Sequence, residues 1–189
     1  MHLSEMKRKC LFLLLTVAAL SGFMPRNPEL FVVQSSSVSF VSTASFGKIK
    51  GLSDKMTGTL DIAKRSFEFK LPACSFEGFL NSTQKKHYCE KFVEGPQFPD
   101  MGFRGKIIEE LDLSVPGTYK ARGKGMFLLH GIEKERIIDV QLVVKDGQIT
   151  VDSKFPVPVE DHGIKVSKMN SLSMAKVIDV VVKVVMKPS

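Results

Sequence analysis

The 189-residue chain contains no tryptophan, two tyrosines, three cysteines and four histidines. No histidines form an i, i+4 pair, and the cysteine spacing matches no zinc pattern, so no metal site is expected. A nucleophile elbow is missing, and serine, histidine and aspartate fall into no visible catalytic set. No residue is therefore assigned a catalytic role, and the chain does not read as an enzyme. Gly123 and Gly125 lack the lysine and the helix start of a phosphate-binding loop. Glu109, Glu110 and Asp112 crowd one charged stretch, which a solvated turn explains better than an acid–base pair.

The excess of positive charge is modest. The formal net charge of +7 is compatible with transient contact with a membrane surface, but it does not point to nucleic acid. Lys120, Arg122 and Lys124 form a basic stripe with no aromatic side chain on the same face to stack bases. That stripe reads as a solvated wall.

Apolar runs of membrane-spanning length are missing too. The run from Cys10 to Leu20 is short, follows Lys7, Arg8 and Lys9, and ends at Ser21-Gly22. This is the layout of a secretory signal peptide, expected over 1–24, with an uncleaved anchor as the alternative. It implies a periplasmic or secreted protein whose remaining 25–189 form a single domain.

Alternation dominates that remainder. From Gly117 the sequence reads as two long strands folded back on each other. Tyr119, Ala121, Gly123, Gly125, Phe127 and Leu129 share one face, and Ile138, Val140, Leu142 and Val144 share the facing one. Gly131 offers the turn, and Asp146-Gly147 favours a tight hairpin into a strand with Ile149, Val151, Ser153 and Phe155 on one face. Earlier pieces carry Phe31, then Val38, Phe40 and Ser42, then Met56, Gly58 and Leu60, then Phe67, Phe69 and Leu71; Lys48 to Gly51 reads as a corner. Phe103, Gly105 and Ile107 resume the pattern, and Ile178, Val180, Val182, Val184 and Met186 end it. One stretch breaks it. From Asn81 to Phe92 the spacing predicts a short helix with Asn81 or Ser82 as cap, lying across one end of a barrel.

Apolar inside and polar outside is the pattern of a water-soluble barrel rather than an outer-membrane one. The small residues Ala121, Gly123 and Gly125 admit two explanations. They mark sharp coiling of the sheet, or they leave room for something long and apolar between Tyr119 and Phe127.

Three stretches carry a family resemblance. The first is Val38-Ser39-Phe40-Val41-Ser42 through Ile49, with Gly58 and Asp61. The second is Leu71-Pro72, Ser75-Phe76, His87-Tyr88-Cys89-Glu90, Glu94, Phe98-Pro99 and Phe103-Arg104-Gly105-Lys106-Ile107. The third runs from Gly125 to Lys134, then through Phe155, Val157, Asp161 and Gly163-Ile164. Together they resemble the YceI-like family, with two departures: Cys89 stands where an asparagine is expected, and the stretch from Asn81 to Lys86 is unusually polar.

The resemblance implies an all-β fold, an extended antiparallel lipocalin-like barrel of about eight strands, holding an isoprenoid or isoprenoid quinone. No cofactor is required. The lumen is then expected to present Phe40, Phe67, Phe69, Phe103, Ile107, Tyr119, Ala121, Gly123, Phe127, Leu142 and Phe155, with His87 as a head-group candidate. The competing expectation is a barrel filled by its own phenylalanines, of which the chain has 14, acting as a structural or protein-interaction module. In an oxidising compartment Cys74 and Cys89 either pair or remain two free thiols.

Overall fold

The computed structural model describes residues 29–44, 47–166 and 175–189; the leader expected at 1–24 lies outside them. Nine antiparallel strands form one sheet: β1 (Leu30–Ala44), β2 (Gly47–Ser53), β3 (Thr57–Asp61), β4 (Ser66–Pro72), β5 (Asp100–Ile107), β6 (Gly117–Leu129), β7 (Ile132–Lys145), β8 (Gln148–Pro158) and β9 (Val177–Pro188). Pairing of β1 with β9 closes the sheet on itself. Strands β2 and β3 lie end to end along the other edge of β1, against Val38–Ala44 and Leu30–Val32 respectively. They fill one strand position, so the barrel has eight.

This corrects the corner expected from Lys48 to Gly51: those residues are paired strand, and the bend comes after Ser53. Only β3 continues into pairing with β4. Leu52 of β2 is instead bridged to Glu77, in the segment that follows β4, and the two residues exchange both backbone hydrogen bonds at 2.9 and 2.8 Å.

Turn chemistry sets the register where it is tight. His130 and Gly131 (φ 53° and 70°) join β6 to β7, and Asp146 and Gly147 (φ 52° and 70°) join β7 to β8. Two consecutive left-handed residues twist a hairpin in the sense of its strands. A bulge between Val33 and Ser35 shifts β1 against β9. It switches the inward residues from Phe31 to Val38, Phe40 and Ser42, all buried, so an odd and an even series share one interior.

The segment between β4 and β5 covers one end of the barrel. It contains a 3-10 turn (Ala73–Ser75), the helix α1 (Ser82–His87) and a π-helical turn (Tyr88–Phe92). The Asn81 side chain accepts from the Gln84 amide at 2.8 Å, capping α1 where expected. Cys74 and Cys89 are joined as a disulfide, with Cα atoms 5.0 Å apart. The cover is thereby stapled to the end of β4, and Ser53 is tied to Ser75 by a 2.7 Å hydroxyl bond.

Inward side chains form two clusters. Toward the end that carries the β3–β4 and β7–β8 turns, Phe31, Leu60, Phe67, Ile107, Ala121, Leu142, Ile149 and Met186 pack solidly. Toward the covered end, Val38, Phe40, Leu71, Phe76, Tyr88, Leu129, Val157, Val159 and Ile164 surround open space.

Candidate functional site: an apolar cavity under the cover

The cavity is walled by strands and roofed by the cover. Val38 and Phe40 of β1, Phe69 and Leu71 of β4, Met101 and Phe103 of β5, and Phe127 and Leu129 of β6 line it. Val140, Phe155, Val157, Val180 and Val182 complete the wall, and Phe76, Tyr88 and Val93 come from the cover. Counted as the space open to the centre of a water-sized sphere, it is about 140 Å³. Its mouth is partly open, and the non-atom space with the mouth included is about 1080 Å³.

Among the described residues, two lining side chains carry a hydroxyl. Ser153 donates to the Asp139 carbonyl at 2.6 Å. The Tyr88 ring stacks on Phe40 at 5.3 Å and meets Phe79 at 5.0 Å and Phe76 at 5.8 Å. Burial pushes its phenol well above the ordinary value, so it stays neutral. A wall of this kind offers dispersion and burial, with one neutral hydroxyl for orientation. It offers nothing to fix a charge or move a proton.

The expected lumen residues divide between the two halves. Phe40, Phe69, Phe103, Phe127 and Phe155 line the cavity. Phe67, Ile107, Ala121 and Leu142 are buried in the solid cluster, with Tyr119 packed against it. The lower half therefore answers to the self-filled expectation and the upper half to the open one. Gly123 belongs with the lower half: a Cβ there would lie 3.1 Å from the Phe67 ring and 3.3 Å from that of Phe103. Its smallness makes room for the chain's own rings. At Gly125 a Cβ would fall on the Arg104 carbonyl oxygen and 2.7 Å from the Gly105 Cα. There the glycine permits close approach of β5 and β6, as expected of a coiled sheet.

His87 ends α1, is half-buried and does not line the cavity. The other two described histidines form a clamp beside it. His130 Nδ1 donates to the His162 carbonyl, and His162 Nδ1 donates to the Ile132 carbonyl, each at 3.0 Å. They pin the β6–β7 turn to the 3-10 turn Val159–His162.

The acidic groups of the charged turn after β5 are engaged on the outer surface. Arg122 binds Glu109 at 2.7 Å and holds its carboxyl below the usual range; Glu110 meets Arg65, and Asp112 accepts from Ser114. Among the described residues no group of three His, Cys, Asp or Glu side chains is placed to hold a metal. Val38, Phe76, Tyr88, Met101, Val140, Val180 and Val182 also line the cavity but were absent from the expected set. The valines sit on inward faces legible from alternation. Phe76 and Tyr88 come from the cover, where no two-residue period marks them.

Solved structures share this architecture. A polyisoprenoid-binding domain from Saccharophagus degradans matches with a TM-score of 0.71 at 11% identity, covering 84% of this chain and 98% of that one. BcnA of Burkholderia cenocepacia matches at 0.65 and 16% identity, covering 79% and 95%. The YceI protein of Campylobacter jejuni matches at 0.57 and 17% identity, covering 76% and 86%. Comparison with curated proteins finds no match. The YceI-like domain family model matches residues 31–186, from the first buried phenylalanine of β1 to the last buried methionine of β9, and the chain belongs to that family.

Proposed function

We propose that the protein is an exported carrier that encloses the apolar chain of an isoprenoid or isoprenoid quinone in the half-open end of its barrel. The observation that carries this reading is the cavity wall, in which, among the described residues, only Tyr88 and Ser153 interrupt an apolar lining. Likeness to a polyisoprenoid-binding domain supports the ligand class. A buried chain of ~15 carbons gains on the order of 10 kcal/mol before ordering costs reduce it, so few polar contacts are needed. A long chain displaces the flexible side chains of Met56 and Met101 or extends through the mouth. Tyr88 offers a neutral hydroxyl to a quinone oxygen or an alcohol. Binding, rather than catalysis, is the activity this arrangement serves.

The packed lower half gives the competing reading its footing: a structural or interaction module that holds no lipid. Uptake separates the two. The protein is incubated with a long-chain isoprenoid quinone in mild detergent, passed through gel filtration, and the co-eluting quinone is measured by its absorbance. The carrier takes up quinone in a saturable, near-stoichiometric amount. A protein that elutes free of quinone at every concentration is a self-filled module.

A further inference from the structure

The cover has an outer face as well as an inner one. On β2 the residues alternate, with Ile49, Gly51 and Ser53 buried and Lys48, Lys50 and Leu52 exposed in line. Leu52 is 52% exposed and bridges Glu77, and three residues further on Leu80 is 86% exposed at the start of the α1 segment. Lys85 is neutralised by Glu77, and Lys55 by Asp54. Lys48, Lys50, Lys86 and Lys91 are exposed and have no ion-pair partner among the described residues. Leu80, Lys86 and Lys91 thus sit on the cover, and Lys48, Lys50 and Leu52 on the strand bridged to it, so two exposed leucines accompany four ammonium groups that have no ion-pair partner among the described residues.

We propose that this face, centred on Leu52 and Leu80, docks on an anionic lipid surface. The lysines meet headgroup phosphates, while Leu80, held out from the cap of α1, enters the acyl boundary. An amphipathic patch of this composition gains from both terms, and each weakens independently. An acidic protein would pair with the lysines but has less use for an 86% exposed leucine at the tip. The position of the patch gives adsorption a purpose. An apolar chain leaving the bilayer enters the roofed end without crossing bulk water. That purpose rests on the lipid-carrier reading, whereas the adsorption does not.

The test uses protein recovered from its native host, in parent and variant forms, and sedimentation with vesicles of phosphatidylcholine alone or mixed with phosphatidylglycerol. The parent should bind the mixed vesicles and be released by salt. Lys86→Glu with Lys91→Glu should weaken binding on the order of fivefold per lysine changed. Leu80→Asn should weaken it and leave its salt dependence unchanged, and all variants should keep quinone uptake from detergent. Equal binding to both vesicle types, or binding indifferent to these substitutions, overturns the proposal. So does adsorption to a soluble polyanion as strong as that to vesicles and insensitive to Leu80→Asn, which assigns the face to an acidic macromolecule. A parent that adsorbs as described yet takes up no quinone leaves this surface standing and removes the carrier reading.

Discussion

The ring of Phe67 occupies the space a side chain at Gly123 would need: a Cβ built on the glycine lies 3.1 Å from two of its carbons. Phe67 in turn meets Phe103 at 4.9 Å, Phe103 meets Phe127 at 6.3 Å, and Phe127 meets Phe155 at 6.0 Å. These rings step from the solid half of the barrel into the wall of the cavity, so the boundary between the two halves runs along this ladder.

The boundary makes substitutions on its two sides behave differently. Ala121 is 4% exposed within the packed cluster, and Ala121→Phe should overpack it at a cost of about 1–3 kcal/mol. The folded fraction should still take up lipid. Val180 lines the cavity opposite Phe155, and Val180→Phe should fill the void, lose lipid uptake and leave melting of the lipid-free protein nearly unchanged. Thermal melting and quinone uptake on both variants check the contrast.

A second pair separates a yielding neighbour from an unyielding one. Gly123→Ala presses on the edge of a phenylalanine ring, which moves by a few tenths of an ångström, and should cost about 1 kcal/mol. Gly125→Ala drives a methyl into the backbone of β5 and should cost about 3 kcal/mol or more. Urea denaturation of the two variants side by side is the measurement. Equal losses would mean that the strands at Gly105 and Gly125 can separate freely.

Much of the barrel was legible in the sequence because a two-residue period fixes which side chains face inward. The inward series of β6, β7 and β9 follow directly from it. Depth along the barrel does not follow. Ala121 and Phe127 share a face and a period, yet one is packed and the other borders the void, because strand tilt and the reach of rings from neighbouring strands decide where space is left. The odd-to-even switch from Phe31 to Val38 needed a bulge that no glycine announces. Phe76 and Tyr88 reach the cavity through the cover, whose path depends on the Cys74–Cys89 link and on the Leu52–Glu77 bridge.

That disulfide closes a loop across a sequence separation of 15, for which chain entropy gives ~3 kcal/mol. Cys74→Ser should lower stability by about that amount. Because the link holds the roof of the cavity, the variant should also release bound lipid faster. Reducing agent should reproduce both effects in the parent and neither in the variant. Equal melting of oxidised and reduced parent would show that the roof holds without the link.

The buried histidine gives a pH dependence of definite sign. His162 is 0% exposed, and burial is the main cause holding its pKa below the ordinary value. The unfolded chain therefore takes up the proton first, and stability is complete above the unfolded value of about 6.5. It declines as pH falls below that point and levels off once pH passes the folded value. His162→Asn keeps a side-chain donor for the Ile132 carbonyl and should flatten this part of the stability profile. Chemical denaturation at a series of pH values reads the slope, and an unchanged slope would place the titrating group elsewhere.

The central claim is that the upper half of the barrel holds an apolar chain, and native mass spectrometry of protein recovered gently from its host tests it most directly. A lipid-holding barrel gives a population heavier than the bare chain by the mass of one lipid, released on activation and identified by extraction as an isoprenoid or isoprenoid quinone. Bare protein alone, remaining bare after exposure to excess quinone, would contradict it.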